Sequence, residues 1–121
     1  MNKKDIKSKE DIKLMVDTFY QKALKNEPLK HIFENVAAVN FETHLPVMYK
    51  FWSQVLFADG DYRGNPFEKH LPLPLTKNHF DLWIGIFCST VDDLFEGNKA
   101  EEAKARARTI GQIFQMKMKL L

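Results

Sequence analysis

At 121 residues, with 18 Lys+Arg against 16 Asp+Glu and a net charge of +2, the chain has the size of one globular domain. That charge is too small to indicate a dedicated nucleic-acid or membrane-surface binder. Hydrophobic residues make up 45%, Gly and Pro number 5 each, and Cys88 is the only cysteine, which excludes a low-complexity chain, an intramolecular disulfide and a Cys-rich zinc site.

The lysine-rich start, Met1 to Asp11, has no apolar run or small-residue cleavage site behind it. No signal peptide is expected, and a cytoplasmic location is. No apolar run approaches the 18 residues or so of a membrane span. The expectation is a single domain over 1–121, with 1–10 as a flexible N-terminal extension.

Ser8, with Asp11 three positions on, is a capping signal. After it, Ile12, Met15, Val16, Phe19, Tyr20, Ala23 and Leu24 follow the i, i+3, i+4 spacing of a buried helix face. Pro28, just past Asn26, is expected to close that helix. A short turn over Leu29 to Phe33 then brings Ile32 and Phe33 to the core. Asn35 to Phe41 shows no clear period.

A second helix is expected from Thr43, with Pro46 in its first turn, where a missing N–H costs little. Its inward face reads His44, Leu45, Met48, Phe51, Trp52 and Val55, and it stops before Asp59 and Gly60. Between Ala58 and Thr76 stand Gly60, Gly64, Pro66, Pro72 and Pro74, which allow at most one helical turn near Pro66 to His70. Phe67, Leu71, Leu73 and Leu75 argue that this loop packs on something.

Thr76 is the expected cap of a third helix, with Phe80, Trp83, Ile84, Phe87, Val91 and Leu94 inward and Gly97 as its stop. A last helix is expected from Lys99 to Lys119, with Ala103, Ile110, Ile113 and Phe114 inward. No segment alternates with period two. The class is all-α.

Familiar catalytic motifs are missing. His31, His44, His70 and His79 form no i, i+4 pair and no HExxH, and there is no GxSxG, GxGxxG or P-loop. Cys88 is expected to pack as a small hydrophobe, and Asp92 and Asp93 to lie on a solvated face. What stands out is polar residues on apolar stripes: Tyr20, His44 and Trp83, with His70 on the Gly/Pro-rich loop. Each alone reads more readily as a core aromatic, a satisfied core histidine or a surface loop residue than as a site residue. Together they suit a flat, mostly apolar prosthetic group held in a slot between helices. If that group is haem, one imidazole would hold the iron and distal donors would meet a bound diatomic ligand.

The sequence resembles a truncated haemoglobin of the third group, from about Ile12 to Met116. The resemblance rests on Phe19–Tyr20, on Leu29 through Phe33, and on His44 seven residues before Phe51–Trp52. It continues through Asp61–Tyr62–Arg63–Gly64–Asn65–Pro66, His70 four residues later, and His79–Phe80–Asp81–Leu82–Trp83. Glycine-rich helix-ending motifs of the other groups are absent, as in the third group. Membership implies a two-over-two helical sandwich around haem b. It implies His70 as the proximal iron ligand, Tyr20 and His44 as distal residues, and Trp83 as the haem-facing tryptophan. Phe33 would pack against the haem edge, Met48 would sit over the iron, and Phe51 would join them in contacting the cofactor. Lys50, Arg63 and Lys69 are the basic residues near enough in sequence to serve propionates.

The function this implies is binding of O₂, NO or CO, as a tight binder, sensor or redox catalyst more than for oxygen transport. A haem enzyme such as a nitric oxide dioxygenase or peroxidase would use the same residues and need a separate reductase. A cofactor-free helical interaction module is the third alternative. No nucleic-acid or membrane partner is expected.

Overall fold

The computed structural model describes residues 3–59, 62 and 73–120. They form five α-helices and one π-helical turn, and no strand occurs among them. The helices are α1 (Lys9–Ala23), α2 (Glu27–His31), α3 (Phe41–Phe57), α4 (Lys77–Leu94) and α5 (Asn98–Lys117), with the π-helical turn at Ile32–Val36. α1 packs on α3 and on α4, α4 packs on α5, and α3 touches α5. This is the two-over-two sandwich that the sequence resemblance implies.

The stripe read from the sequence of α1 is the centre of the core. Ile12, Met15, Val16, Phe19 and Ala23 are buried, together with Phe87 and Val91 of α4. α5 meets α4 through small residues. Ala100, Ala103 and Ala107 are buried at helical spacing, and Gly111 continues their line. A side chain at Gly111 would sit 2.6 Å from Ile84 Cδ1, so the helices approach closely there. Ile113, expected inward, lies off that line and is 43% exposed.

Helix ends follow local chemistry, with four differences from the sequence reading. α1 ends at Ala23, before Pro28, because Asn26 caps α2 by accepting from the Leu29 amide at 3.3 Å. Pro28 therefore opens α2 rather than closing α1. α3 begins at Phe41, because Asn40 is the cap, its Oδ1 accepting from the Glu42 amide at 3.0 Å. Thr43, expected to be that cap, instead donates its hydroxyl to the Asn40 carbonyl. Pro46 consequently lies inside the helix rather than in its first turn. Gly97 starts α5 rather than stopping α4, which ends at Leu94. Ser8 and Thr76 are caps as expected, accepting from the amides of Asp11 and His79.

The expectation of a flexible extension over 1–10 meets a packed chain over 3–10. Ile6 is buried, and α1 already begins at Lys9. The Asp5 carboxylate accepts from the amides of Lys99 and Ala100 at the start of α5, each at 2.9 Å, and the Lys4 carbonyl accepts from Glu96 N–H. Asp5 thus serves as the cap that Gly97 cannot supply from a side chain. Gly97 has φ +136°, and a Cβ there would lie 2.6 Å from Asp5 Cγ, so only glycine fits beneath the carboxylate.

The one-turn helix expected near Pro66 to His70, and the packing of Phe67 and Leu71, lie outside the described residues.

Candidate functional site

The site begins with Tyr20. The periodicity of α1 turns it toward the core, where it is 7% exposed. A buried phenol needs a partner for its hydroxyl. That partner is His44, whose Nε2 lies 2.7 Å from Tyr20 Oη. Burial pushes the Tyr20 pKa far above the usual tyrosine value, so the hydroxyl keeps its proton. The His44 tautomer decides the sense of the bond. With the proton on Nδ1 the phenol donates to Nε2, and with the proton on Nε2 it accepts.

Rings enclose this pair. Phe19, Phe33, Phe41 and His44 all meet the Tyr20 ring edge-on, with centroids 5.0 to 5.6 Å away. Phe33 arrives on the π-helical turn and Phe41 on the first residue of α3.

From the other side, α4 brings Trp83. Its ring lies edge-on to Phe19 at 6.4 Å and near-parallel to Phe87 at 6.3 Å, and Phe87 stacks on Trp52 at 4.7 Å. A cavity of about 10 Å³ is left where α1, α3 and α4 converge, lined by Tyr20, Met48 and Trp83 together with Val16, Phe19, Trp52 and Phe87. That is the space of about one water molecule's probe sphere, in apolar surroundings.

Phe51 lies one turn beyond Met48 and does not line this cavity. It lines a wider groove of about 420 Å³ between α3 and α5, with Val55, Ile110 and Phe114. Its ring also meets Tyr62 edge-on at 5.2 Å.

Thus Tyr20, His44 and Phe33 form one contact cluster, Tyr20, Met48 and Trp83 share one cavity, and Phe51 extends the α3 face into the groove. His70 lies outside the described residues, as do Arg63 and Lys69. The other two histidines have local work. His79 Nδ1 accepts from the Thr76 amide at 3.0 Å, completing a capping box, and His31 pairs with Asn35. A neutral His79 in that bond carries its proton on Nε2. Among the described residues no His, Cys, Asp or Glu cluster is arranged to hold a metal ion.

Phe41, Trp52 and Phe87 join the site without a signal of their own in the sequence. Phe41 precedes Thr43, the expected start of α3, and so falls outside the expected helix. The other two carry no chemical signal beyond being aromatic residues at core spacing.

An all-helical two-over-two sandwich with a buried Tyr20–His44 pair, whose tyrosine lines a small cavity between the layers, has the form of a globin. Comparison with known proteins makes the assignment specific. The model of the bacterial-like globin family matches residues 4–119, and the chain belongs to that family. It is 30% identical over 112 residues to the Group 3 truncated hemoglobin ctb of Campylobacter jejuni, covering 89% of this chain and 88% of that protein. A Group 1 truncated hemoglobin of Tetrahymena thermophila is 31% identical over 80 residues, 65% of this chain and 64% of its own. The crystal structure of a group III truncated hemoglobin from Campylobacter jejuni superposes with a TM-score of 0.87 at 28% identity, covering 96% of this chain and 94% of that one. The protein is a haem globin of the truncated, two-over-two kind.

Proposed function

We propose that this globin holds haem b through His70 and binds O₂, or another diatomic ligand, on the side lined by Tyr20, Met48 and Trp83. The observation that carries the proposal is the convergence of three helices on one small apolar cavity beside a buried phenol that keeps its proton. The described residues suit the group. Met48, Phe51 and Val55 give α3 a half-buried apolar face for a flat macrocycle, and Phe33 stands beside Tyr20. Haem without a covalent thioether link fits as well. The single cysteine, Cys88, rules out a Cys-x-x-Cys-His attachment, and burial raises its thiol pKa.

Haem, when bound, supplies the iron on which a diatomic ligand is held and polarised. The protein supplies donors in a dry pocket. Tyr20 offers a neutral O–H. When His44 donates to its oxygen, the phenolic proton is free to turn toward the cavity. When Tyr20 donates to His44, the proton turns away. The indole of Trp83 is a donor only, so its sense is fixed. Each net hydrogen bond to a ligand is worth about 0.5–1.5 kcal/mol, or roughly two- to tenfold in release rate. Two such donors favour slow release, as suits tight binding more than delivery.

The test is a haem titration of the purified protein followed by absorption spectroscopy. A saturable Soret band that shifts on adding CO to the reduced protein is expected. A protein that stays colourless with excess haem would overturn the proposal.

A further inference from the structure

Phe41 touches both members of the distal pair. Its ring meets Tyr20 edge-on at 5.6 Å and 68°, and His44 at 6.2 Å and 84°. It also meets Phe33 at 6.2 Å. The four rings of Tyr20, Phe33, Phe41 and His44 therefore form one cluster, and Phe41 contacts each of the other three.

The backbone explains why such a contact is needed. Phe41 and His44 share the first turn of α3. Pro46 follows two residues after His44, inside the helix. A proline there has no N–H to give to the carbonyl four residues back, Glu42, and its ring crowds that carbonyl. The turn that carries His44 is thus coupled less firmly to the rest of α3 than an unbroken helix would allow. Its N-terminal side is capped by Asn40, whose carbonyl accepts from the amides of Thr43 and His44. These bonds keep the turn helical but lie within it. Toward α1 the turn reaches through the His44 hydrogen bond to Tyr20 and through the Phe41 ring, which meets Tyr20 and Phe33.

We infer that Phe41 is a positioning residue of the distal site: its ring holds the first turn of α3 against α1 and so sets the hydrogen bond between Tyr20 and His44. It acts through that pair and needs no contact with the cofactor or ligand. The inference rests on the proposed haem and ligand reading, because only there does the orientation of Tyr20 have a functional consequence. An aromatic pair of this geometry contributes enough to shift the paired and open arrangements by roughly two- to tenfold.

The test compares haem-loaded wild type with Phe41→Leu, Phe41→Tyr and Tyr20→Phe. Phe41→Leu removes the ring edge and keeps an apolar side chain, while Phe41→Tyr restores the ring. Phe41→Met is the substitute should Phe41→Leu fail to fold. Two quantities are read: the O₂ dissociation rate, and the His44 ring ¹⁵N resonances of the carbonmonoxy form, which report the hydrogen bond at Nε2 directly. Phe41→Leu is expected to move the ¹⁵N resonances toward those of Tyr20→Phe and to change O₂ dissociation roughly two- to tenfold. Phe41→Tyr is expected to return both to wild type. Wild-type resonances and rate in Phe41→Leu would overturn the inference, as would a change that Phe41→Tyr does not rescue. If wild type takes up no haem, the proposed function fails. If wild type takes up haem and Tyr20→Phe responds while Phe41→Leu does not, only the present inference fails.

Discussion

Two regions of this globin take polar groups wholly or partly out of solvent, and they satisfy them in different ways. At the N-terminal end, Asp5 is bound to backbone amides and Asp11 to one backbone amide and a lysine. Asp5 accepts from three amides, and Asp11 accepts from Lys7 N–H and pairs with Lys4 at 2.9 Å. At the aromatic cluster, Tyr20 is bound to another side chain, His44, on the first turn of a helix that carries Pro46 two residues later. Backbone partners fix a group, because moving them means moving a helix. A side-chain partner can be exchanged for a ligand. The first arrangement suits holding a fold, and the second suits a site that must change partners.

Substitutions at the two regions should therefore separate binding from stability. The largest effect is expected at His70, the proposed iron ligand. His70→Ala should lose stable haem, or keep it only with added imidazole, as read from the Soret absorbance. Normal haem content in that variant would point to another ligand. Tyr20→Phe should come next. It keeps the ring cluster and removes one hydroxyl, so O₂ dissociation should change by up to about tenfold for one net hydrogen bond of about 1.4 kcal/mol. The thermal midpoint should move little.

Asp5→Ala should reverse that pattern. Losing a helix cap costs about 1 kcal/mol, a drop of a few degrees in the melting temperature, with ligand kinetics unchanged. Acid should act on the same region. Burial opposes the charge on both Asp5 and Asp11, but their hydrogen bonds outweigh it and hold both carboxyls below the ordinary value of 3.8. A depressed folded pKa contributes stability that is fully present above 3.8 and is lost as pH falls through the folded value. Denaturant titrations should thus show stability falling below about pH 4, with a shallower slope in Asp11→Asn. The smallest effect is expected at the exposed Lys77–Asp81 pair, where Lys77→Ala should leave both melting and ligand kinetics unchanged.

The sequence made the α1 stripe readable because seven apolar positions repeat on one helix face. It also marked Tyr20 and Trp83, since polar handles on apolar stripes are conspicuous. The Tyr20–His44 bond was not readable. It joins residues 24 apart and depends on how α1 and α3 meet. Gly97 misled for a similar reason. Locally it looks like a stop, but its role depends on Asp5, which lies more than 90 residues earlier and caps the helix that Gly97 begins. Ile113 misled because apolar character alone does not show that the packed line of α5 runs through Ala103, Ala107 and Gly111 instead. Thr43 had the right chemistry for a cap, but Asn40 stands three residues earlier with a carboxamide that reaches the Glu42 amide.

The central claim is that Tyr20 and Trp83 act on one ligand from two helices. The most direct test is a double-mutant cycle on O₂ dissociation from the haem-loaded protein, using Tyr20→Phe, Trp83→Phe and the double variant. Both single changes should alter the rate, and the double variant should depart from the product of the two, because the donors share one acceptor. If both single variants release O₂ at the wild-type rate, the two residues are core packing and the account of the distal site is wrong.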